Sequence, residues 1–191
     1  MNLVLASTSP FRRQLLERLG VPFVVCAPEV DETPLPGESP STLVRRLAEA
    51  KARAAAPHHP DSLIIGSDQV AGIDGAVLGK PGTHARAVAQ LQSASGRRVD
   101  FVTGVCLLNS STGCVQTDVI PFHVHFRPLD PSRIERYLLR ERPYHCAGSF
   151  RAEGLGIALF QRLEGDDITA LIGLPLIRLV TMLAEEGMDV V

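Results

Sequence analysis

Short apolar runs alternate with helical patterns in the first part of the chain. The run NLVLA near the start is typical of a buried strand. After Ser9, a stripe of leucines at helical spacing predicts a helix that ends at Gly20. Residues 23–27 predict a second strand. This order of strand, helix and strand indicates an α/β fold.

The next segments continue the alternation. A long helix is predicted from its cap at Ser39 to about Ala56. The run SLIIGSD then predicts a third strand that ends at Asp68, and a hairpin turn signal follows at residues 74–75. Thr83 caps another predicted helix.

The second half of the chain contains a strand pair and two more helices. The runs RVDFVTGVCLL and CVQTDVIPFHVHFR flank the turn NSSTG and predict an antiparallel pair. A helix is predicted from Asp130 through Tyr137, a strand over GIALF, and a terminal helix over residues 175–186. We therefore predict a single α/β domain over residues 1–191, with a curved, mixed β-sheet that is flanked by helices and has a cleft.

Composition narrows the class of protein. Apolar residues make up 45% of the chain and charged residues 21%, which is typical of a soluble globular domain. The formal net charge of −2 provides no global field for nucleic acid, so we expect no such partner. The four cysteines are far apart in the sequence, which predicts reduced thiols in a cytoplasmic protein. No apolar run predicts a signal peptide or a membrane span.

Arg12 and Arg13 lie in the first turn of the first predicted helix, where the helix dipole disfavours cations. Hydroxyl groups precede them, including that of Ser7. A helix N-terminus with arginine side chains beside it is well suited to bind phosphate. The alternative is a solvated helix start that tolerates two positive charges.

Lys51 lies on the apolar stripe of the long helix, because it follows Leu43 and Leu47 at intervals of four residues. A lysine in this position either extends along its stem to solvent or points towards a negative group in a cleft. Lys80 follows a glycine in the segment VLGKPG. That segment is not a P-loop, but Lys80 could reach a phosphate from a loop.

Acidic residues follow two of the predicted strands. Glu32 lies in the loop after the second strand, and Asp68 ends the third. Ligands of open α/β sheets collect at the carboxyl ends of strands. A carboxylate there suits a divalent cation or a general base, and the alternative is a turn cap.

Seven blocks of sequence, in collinear order, resemble the Maf family of nucleoside triphosphate pyrophosphatases. These blocks are LASTSPFRRQLLERLG, APEVDET, LVRRLAEAKA, LIIGSDQV, GKP, HCAGSFRAEGLGIALFQRLEGDD and LIGLPL. The resemblance implies a Maf fold, related to that of the ITP pyrophosphatases. It also implies a hydrolase acting on acid anhydrides, which cuts a nucleoside triphosphate between its α- and β-phosphates with a divalent cation (Mg²⁺, Mn²⁺ or Co²⁺).

The resemblance also implies roles for individual residues. By position it assigns substrate binding to Ser7, Arg12, Arg13, Glu32, Lys51 and Lys80, and proton acceptance to Asp68. Glu32 and Asp68 are the implied metal ligands.

Three positions within these blocks bear on base recognition, namely Phe11, Gln69 and Glu153. They resemble the subfamily that acts on 7-methyl-GTP and clears modified nucleotides. A 7-methylated guanine is cationic, so the ring of Phe11 would attract it by a cation–π contact. The Glu153 carboxylate would accept hydrogen bonds from the N1–H and amino groups of the base.

Two alternatives remain open at this stage. The first is a pyrophosphatase of the same family that acts on dTTP and UTP. The second is a non-catalytic regulator of cell division, because the resembled family is also associated with inhibition of septum formation. The expected partner is a small-molecule nucleotide rather than a membrane, and a homodimer is left open.

Overall fold

The computed structural model describes all 191 residues, which form seven strands and six α-helices. The strands are β1 (Asn2–Ala6), β2 (Val24–Cys26), β3 (Ser62–Ile73), β4 (Ala76–Leu78), β5 (Arg98–Asn109), β6 (Val115–Phe126) and β7 (Phe160–Glu164). The helices are α1 (Pro10–Glu17), α2 (Pro40–Ala55), α3 (His84–Ala94), α4 (Pro131–Glu141), α5 (Ile168–Ile172) and α6 (Leu176–Glu185). None of the helices combines the length and the apolar character needed to cross a membrane.

All seven strands belong to one sheet of mixed direction. The strand order is β2-β1-β3-β5-β6-β7, and β4 pairs with β3. β1 runs parallel to β2 and β3, whereas β4 is antiparallel to β3 and β7 is antiparallel to β6. The connection between β5 and β6 is too short for a crossover, so this neighbouring pair is antiparallel. The predicted α/β class, with a mixed sheet flanked by helices, is confirmed.

The chain divides into two compact units. The first consists of Met1–Gln69, Val102–Ile120 and Asp167–Val191, and the second of Val70–Phe101 and Pro121–Asp166. In the first unit, alternate residues of β1 face opposite sides of the sheet. Leu3 and Leu5 pack with α1 and α6, whereas Val4 and Ala6 pack with α2. The single domain predicted over residues 1–191 stays a prediction.

The strand predicted to end at Asp68 is longer than expected. β3 continues to Ile73 because it changes its pairing partner along its length. Its first part pairs with β1 as far as Gly66, and its last part pairs with β4 from Ala71 to Ile73. Asp68 therefore lies within β3, two residues beyond the point where pairing with β1 ends. The prediction of a strand end was wrong, but the carboxylate still follows the carboxyl end of the parallel pairing.

Side-chain caps begin the helices at the predicted residues. The hydroxyl of Ser9 accepts a hydrogen bond from the backbone N–H of Arg12, and the hydroxyl of Ser39 does the same for Thr42. Thr83 caps α3 in the same way. Each cap satisfies a backbone N–H group that has no partner inside its helix. These caps fix where α1 and α2, the two helices that carry candidate site residues, begin.

The strand predicted over GIALF was wrong. Residues Leu155–Leu159 form a 3-10 turn, and β7 begins only at Phe160. A Cβ atom at Gly156 would overlap the backbone carbonyl oxygen of Arg151, so the chain is wound tightly here. α5 was not predicted, and the carboxylate of Asp167 caps it.

Two glycines let α2 lie directly against the sheet. A Cβ atom at Gly66 of β3 would overlap the carbonyl oxygen of Ala48, and one at Gly104 of β5 would overlap that of Val44. Both glycines therefore permit backbone-to-backbone contact between helix and strand. The contact between Ala48 and Gly66 sets the position of the next helical turn of α2, which carries Lys51.

We expect Gly66→Ala to destabilise the protein, because the added methyl group meets backbone atoms of α2 that have no rotamer to change. Overpacking of this kind costs ~1–3 kcal/mol. For a chain of this length the melting temperature should fall by about 3–10 °C. Gly79→Ala is the matched control, since no heavy atom lies within 4 Å of its added Cβ. Equal melting temperatures for the two variants in a thermal denaturation experiment would contradict the close-packing argument.

Candidate active site

Lys51 is buried between two carboxylates in the first unit. Its Nζ lies 2.7 Å from Oδ1 of Asp68 and 2.7 Å from Oε1 of Glu32. The lysine side chain is only 8% exposed. The sequence allowed two interpretations of Lys51, and the structure supports the second. The ammonium group points towards negative groups and not into solvent. A buried charge is retained only where it is paired and hydrogen-bonded, and both conditions are met.

The two carboxylates differ in their exposure to solvent. The Asp68 side chain is 12% exposed and belongs to a strand, whereas the Glu32 side chain is 62% exposed and belongs to the loop between β2 and α2. Asp68 is held by the sheet and by Lys51. Glu32 is the more accessible of the two to solvent and therefore to a ligand. One rigid and one accessible carboxylate thus converge on a single cation.

Arg46 of α2 anchors the loop that carries Glu32. Its Nε and Nη2 donate to the two oxygens of Glu38 at 2.7 and 2.8 Å, and Nη2 also donates to the carbonyl oxygen of Thr33 at 3.1 Å. This bidentate pair is the strongest geometry available to arginine and a carboxylate. It lowers the pKa of Glu38 from its ordinary value of 4.5 to about 2. The loop next to Glu32 is therefore tied to the helix that carries Lys51.

The lowered pKa of Glu38 predicts how its contribution to stability depends on pH. The pair with Arg46 stabilises the folded state fully above about pH 4.5, and the benefit is lost as the pH falls towards about 2. We expect the melting temperature of Glu38→Gln to be lower than that of the wild type at pH 7. The difference between the two melting temperatures should shrink as the pH falls from 4.5 to 2. Glu49→Gln removes an exposed pair with Arg53 and serves as the control. A difference that stays constant across this range would show that the Glu38 charge is not the cause.

Arg12 lies in the electrostatic field of both carboxylates. Its Nε donates to the carbonyl oxygen of Gly173 at 2.8 Å, and its Nη1 donates to the hydroxyl of Ser7 at 3.4 Å. Burial lowers the pKa of Arg12, and the charges of Asp68 and Glu32 act in the opposite direction. The guanidinium stays protonated in either case. Arg12, Lys51, Asp68, Glu32 and Ser7 are therefore brought together by the first unit.

Arg13 is not brought to this group. Its side chain is 63% exposed, and its Nε pairs with Oε1 of Glu17 at 3.0 Å, one helical turn away. Consecutive helical residues point in directions about 100° apart, so two adjacent arginines cannot share one orientation. Arg13 and Glu17 line a surface groove of about 470 Å³ with residues 21–25. A phosphate-binding role for Arg13 stays a prediction.

Gly173 and Ser67 are site components that the residue-by-residue analysis missed. The hydroxyl of Ser67 lies 2.8 Å from the carbonyl oxygen of Gly104 and 2.9 Å from that of Gly173. The Gly173 carbonyl thus accepts from both Arg12 and Ser67. Gly173 has a φ of +121°, a backbone conformation that residues other than glycine rarely adopt. The glycine within LIGLPL was the available signal in the sequence.

Two of the predicted base-recognition residues belong to the first unit. The side-chain amide nitrogen of Gln69 donates to Thr103 Oγ1, to the Ala170 carbonyl and to the Leu171 carbonyl at 2.8–3.1 Å. Because an amide nitrogen has only two hydrogens, its donors are fully used within the protein. Phe11 is half-buried near the start of α1.

Lys80 and Glu153 are both found in the second unit. Lys80 lies in the loop that follows β4, and Glu153 lies between α4 and β7. Burial raises the pKa of the Cys146 thiol to about 11, and the charge of Glu153 acts in the same direction. The charges of Arg151 and Lys80 act in the opposite direction. Lys80, Arg151 and Glu153 therefore all lie within electrostatic reach of this one thiol.

The carboxylates of the first unit suit a divalent cation that is only partly held by the protein. No group of three or more His, Cys, Asp or Glu side chains is arranged to hold a metal ion. Glu32 and Asp68 provide two carboxylates that converge on one positive charge, the ammonium of Lys51. Mg²⁺ typically binds through one or two carboxylates together with waters and substrate phosphates. The donor set therefore fits a cation whose coordination a polyphosphate would complete.

Comparison of the sequence with known proteins gives matches over nearly the whole chain. The sequence profile of the family described as Maf-like protein matches residues 2–186. A Nitrosococcus oceani protein named 7-methyl-GTP pyrophosphatase is 58% identical over 189 residues, covering 99% of this chain and 95% of that protein. Proteins of the same name from Pseudomonas syringae pv. tomato and Pseudomonas aeruginosa are 59% and 57% identical, each covering 99% of this chain and 98% of the relative. The Staphylococcus aureus Ham1 structure aligns with a TM-score of 0.46 and 16% identity, covering 66% of this chain and 72% of that one.

Proposed function

The chain belongs to the Maf family, and from that premise we propose that it is a nucleoside triphosphate pyrophosphatase with a preference for 7-methyl-GTP. The reaction would release 7-methyl-GMP and pyrophosphate. One observation carries the proposal: a buried lysine, a half-buried arginine and two carboxylates converge in the first unit. Cations beside a partly buried carboxylate are what cleavage of a phosphoanhydride by water requires. The shared name of three relatives at 57–59% identity supports the choice of substrate.

Asp68 is the proposed proton acceptor. Water would attack the α-phosphorus in line with the leaving group, so that a new P–O bond forms while the bond to the β-phosphate oxygen breaks. The proton of the water would pass to a carboxylate oxygen of Asp68, and pyrophosphate would leave with the electron pair. Lys51 and Arg12 would neutralise the negative charge that shifts towards the leaving group. Ser7 would position the guanidinium of Arg12, to which it is hydrogen-bonded.

A divalent cation fits the same residues. Glu32 and Asp68 would hold it, and the bound cation would lower the pKa of a water and neutralise phosphate charge. Lys51 pairs with both carboxylates, so it competes with the cation for them. Arg13 and Lys80 stay predicted phosphate ligands. The unpaired state of all four cysteines is compatible with the proposed cytoplasmic location.

Base selection is assigned to Phe11, Gln69 and Glu153. The Phe11 ring would attract the cationic 7-methylguanine, and the Glu153 carboxylate would accept from the N–H groups of the base. Gln69 has its amide hydrogens committed to Thr103 and to α5, so it would act through its oxygen or by fixing α5.

A substrate panel with the purified wild-type protein tests the proposed function. Release of pyrophosphate is measured on 7-methyl-GTP, GTP, UTP and dTTP, with EDTA and after addition of Mg²⁺, Mn²⁺ or Co²⁺. We expect kcat/KM to be highest on 7-methyl-GTP and activity to require a divalent cation. A higher kcat/KM on UTP or dTTP would favour the pyrimidine nucleotides, and no hydrolysis of any triphosphate would favour the non-catalytic regulator. Full activity in the presence of EDTA would show that the reaction does not require a divalent cation.

Two substitutions test base selection directly. Glu153→Gln removes the charge but keeps the shape, and it should lower the preference for 7-methyl-GTP over UTP by about 10-fold. Phe11→Ala should lower it by about 2- to 20-fold, because a cation–π contact contributes ~0.5–2 kcal/mol. The ratio of kcat/KM values is the measured quantity. Unchanged ratios in both variants would refute the assignment of base selection to these residues.

A further inference from the structure

Glu141 is an acid at an unfavourable position in the second unit. It is the last residue of α4, where the helix dipole disfavours negative charge, and its side chain is only 12% exposed. Its Oε2 accepts from the backbone N–H of Leu155 at 2.7 Å, and its Oε1 pairs with Nη1 of Arg151 at 3.1 Å. A Cβ atom at Gly154 would press against the same carboxylate. The segment 151–155 is therefore built around Glu141.

Arg151 connects this half-buried acid to Glu153. Its Nη1 contacts Glu141, and its Nε lies 3.3 Å from Oε1 of Glu153. The backbone of Arg151 is also fixed, because its N–H donates to the Tyr137 hydroxyl and its carbonyl accepts from Gly156. One guanidinium thus bridges two carboxylates, and both the N–H and the carbonyl group of the same residue are hydrogen-bonded.

We propose that Arg151 is a positioning residue for base selection, which orients the Glu153 carboxylate from an anchor on Glu141. This inference rests on the proposed function, since Glu153 is there assigned to the base. The contact with Arg151 occupies Oε1 of Glu153 from one side and leaves Oε2 to accept from an N–H group. A carboxylate held in one rotamer loses less conformational entropy when it binds a ligand than a freely rotating one.

The charges of the segment also suit a cationic base. Glu141 and Glu153 contribute two negative charges and Arg151 one positive charge, so the bridge keeps an excess of one negative charge. Without Arg151, Glu153 would lose the contact that holds its Oε1, and Glu141 would be left without its cation. Arg151→Lys should not restore the bridge, because Arg151 contacts Glu141 and Glu153 through two different nitrogens, Nη1 and Nε, and a single lysine Nζ cannot occupy both positions.

The experiment compares Arg151→Gln with a matched control. Arg162 pairs with Glu164 two residues later, at the same spacing but on exposed β7, so Arg162→Gln removes an equivalent exposed pair. We expect Arg151→Gln to raise KM for 7-methyl-GTP and to lower its preference over UTP by about 3- to 10-fold, with kcat within about 2-fold of the wild type. Arg162→Gln should leave both unchanged. Melting temperatures are measured for each variant.

A double-mutant cycle separates positioning from general structural damage. In a Glu153→Gln background, Arg151→Gln should change the preference by less than about 1.5-fold, because its effect passes through Glu153. Multiplicative effects of the two substitutions, or an equal loss of kcat on all substrates, would overturn the inference. A wild type that prefers 7-methyl-GTP, together with an Arg151→Gln variant of unchanged preference, would overturn this inference alone. A wild type without pyrophosphatase activity would overturn the proposed function and this inference with it.

Discussion

Asp68→Asn should reduce kcat on 7-methyl-GTP by about 10²- to 10⁴-fold, the range expected when a general base is removed. Asparagine keeps the size of the side chain, but its amide cannot take a proton from water near neutral pH. Asp68 is 12% exposed and hydrogen-bonded to Lys51 at 2.7 Å, so an amide oxygen would still be able to accept from the ammonium. The side chain should keep its place while its chemistry is lost. Single-turnover rates of pyrophosphate release measure this effect without a contribution from product dissociation.

Two controls make the Asp68 result specific. Asp61→Asn changes an exposed aspartate that accepts from Ser111, and it should leave kcat unchanged. The melting temperature of Asp68→Asn should stay close to that of the wild type, because Glu32 still pairs with Lys51. If Asp68→Asn is folded and retains more than about a tenth of the wild-type kcat, Asp68 is not the proton acceptor.

Lys51→Met is expected to lower kcat/KM by about 10²- to 10³-fold, the usual effect of removing one group that stabilises charge in a transition state. Methionine fills much of the volume of the lysine stem, so the packing of α2 should be retained. The change leaves Glu32 and Asp68 facing each other without the ammonium between them. Repulsion between these carboxylates should also make the variant bind Mn²⁺ more tightly than the wild type, which isothermal titration calorimetry measures directly.

The same helix offers a control for Lys51. Arg53→Gln removes a cation two residues away that is exposed and pairs with Glu49, and its kcat/KM should match the wild type. Lys51→Arg should not restore activity, because a guanidinium is too large for a buried position that an ammonium fills. A fully active Lys51→Met would show that the lysine only balances the charge of the two acids.

Local signals in the sequence were sufficient to predict most helices. Caps at Ser9, Ser39 and Thr83 act within three residues, so they are visible in the sequence without knowledge of the fold. The polar segment after SLIIG was harder, because Asp68 interrupts the apolar pattern of a strand that in fact continues to Ile73. A polar residue that is needed in a functional site interrupts the apolar pattern from which its strand would be predicted.

The candidate site was only partly accessible to sequence analysis. The helical spacing of Lys51 marked it as anomalous, and its partners then had to be acids from other segments. The separation of Arg12 from Arg13 depends on which direction α1 presents to the rest of the unit, and local sequence does not encode this. The glycine within LIGLPL marks an unusual backbone conformation at residue 173, but the role of its carbonyl as an acceptor gives no separate signal, because every residue has a carbonyl group.

The hydrogen bond from Arg12 to Gly173 joins residues 161 positions apart in the sequence. During translation, the arginine is therefore synthesised 161 residues before its acceptor. A nascent chain that has emerged only as far as α4 holds Lys51 and Asp68 but lacks the carbonyl that orients Arg12. Contacts of such long range form slowly because closing a long loop costs entropy. A protein shortened before residue 173 lacks this carbonyl and also the buried side chains that α6 adds to the core, so it should form neither a stable first unit nor a complete site.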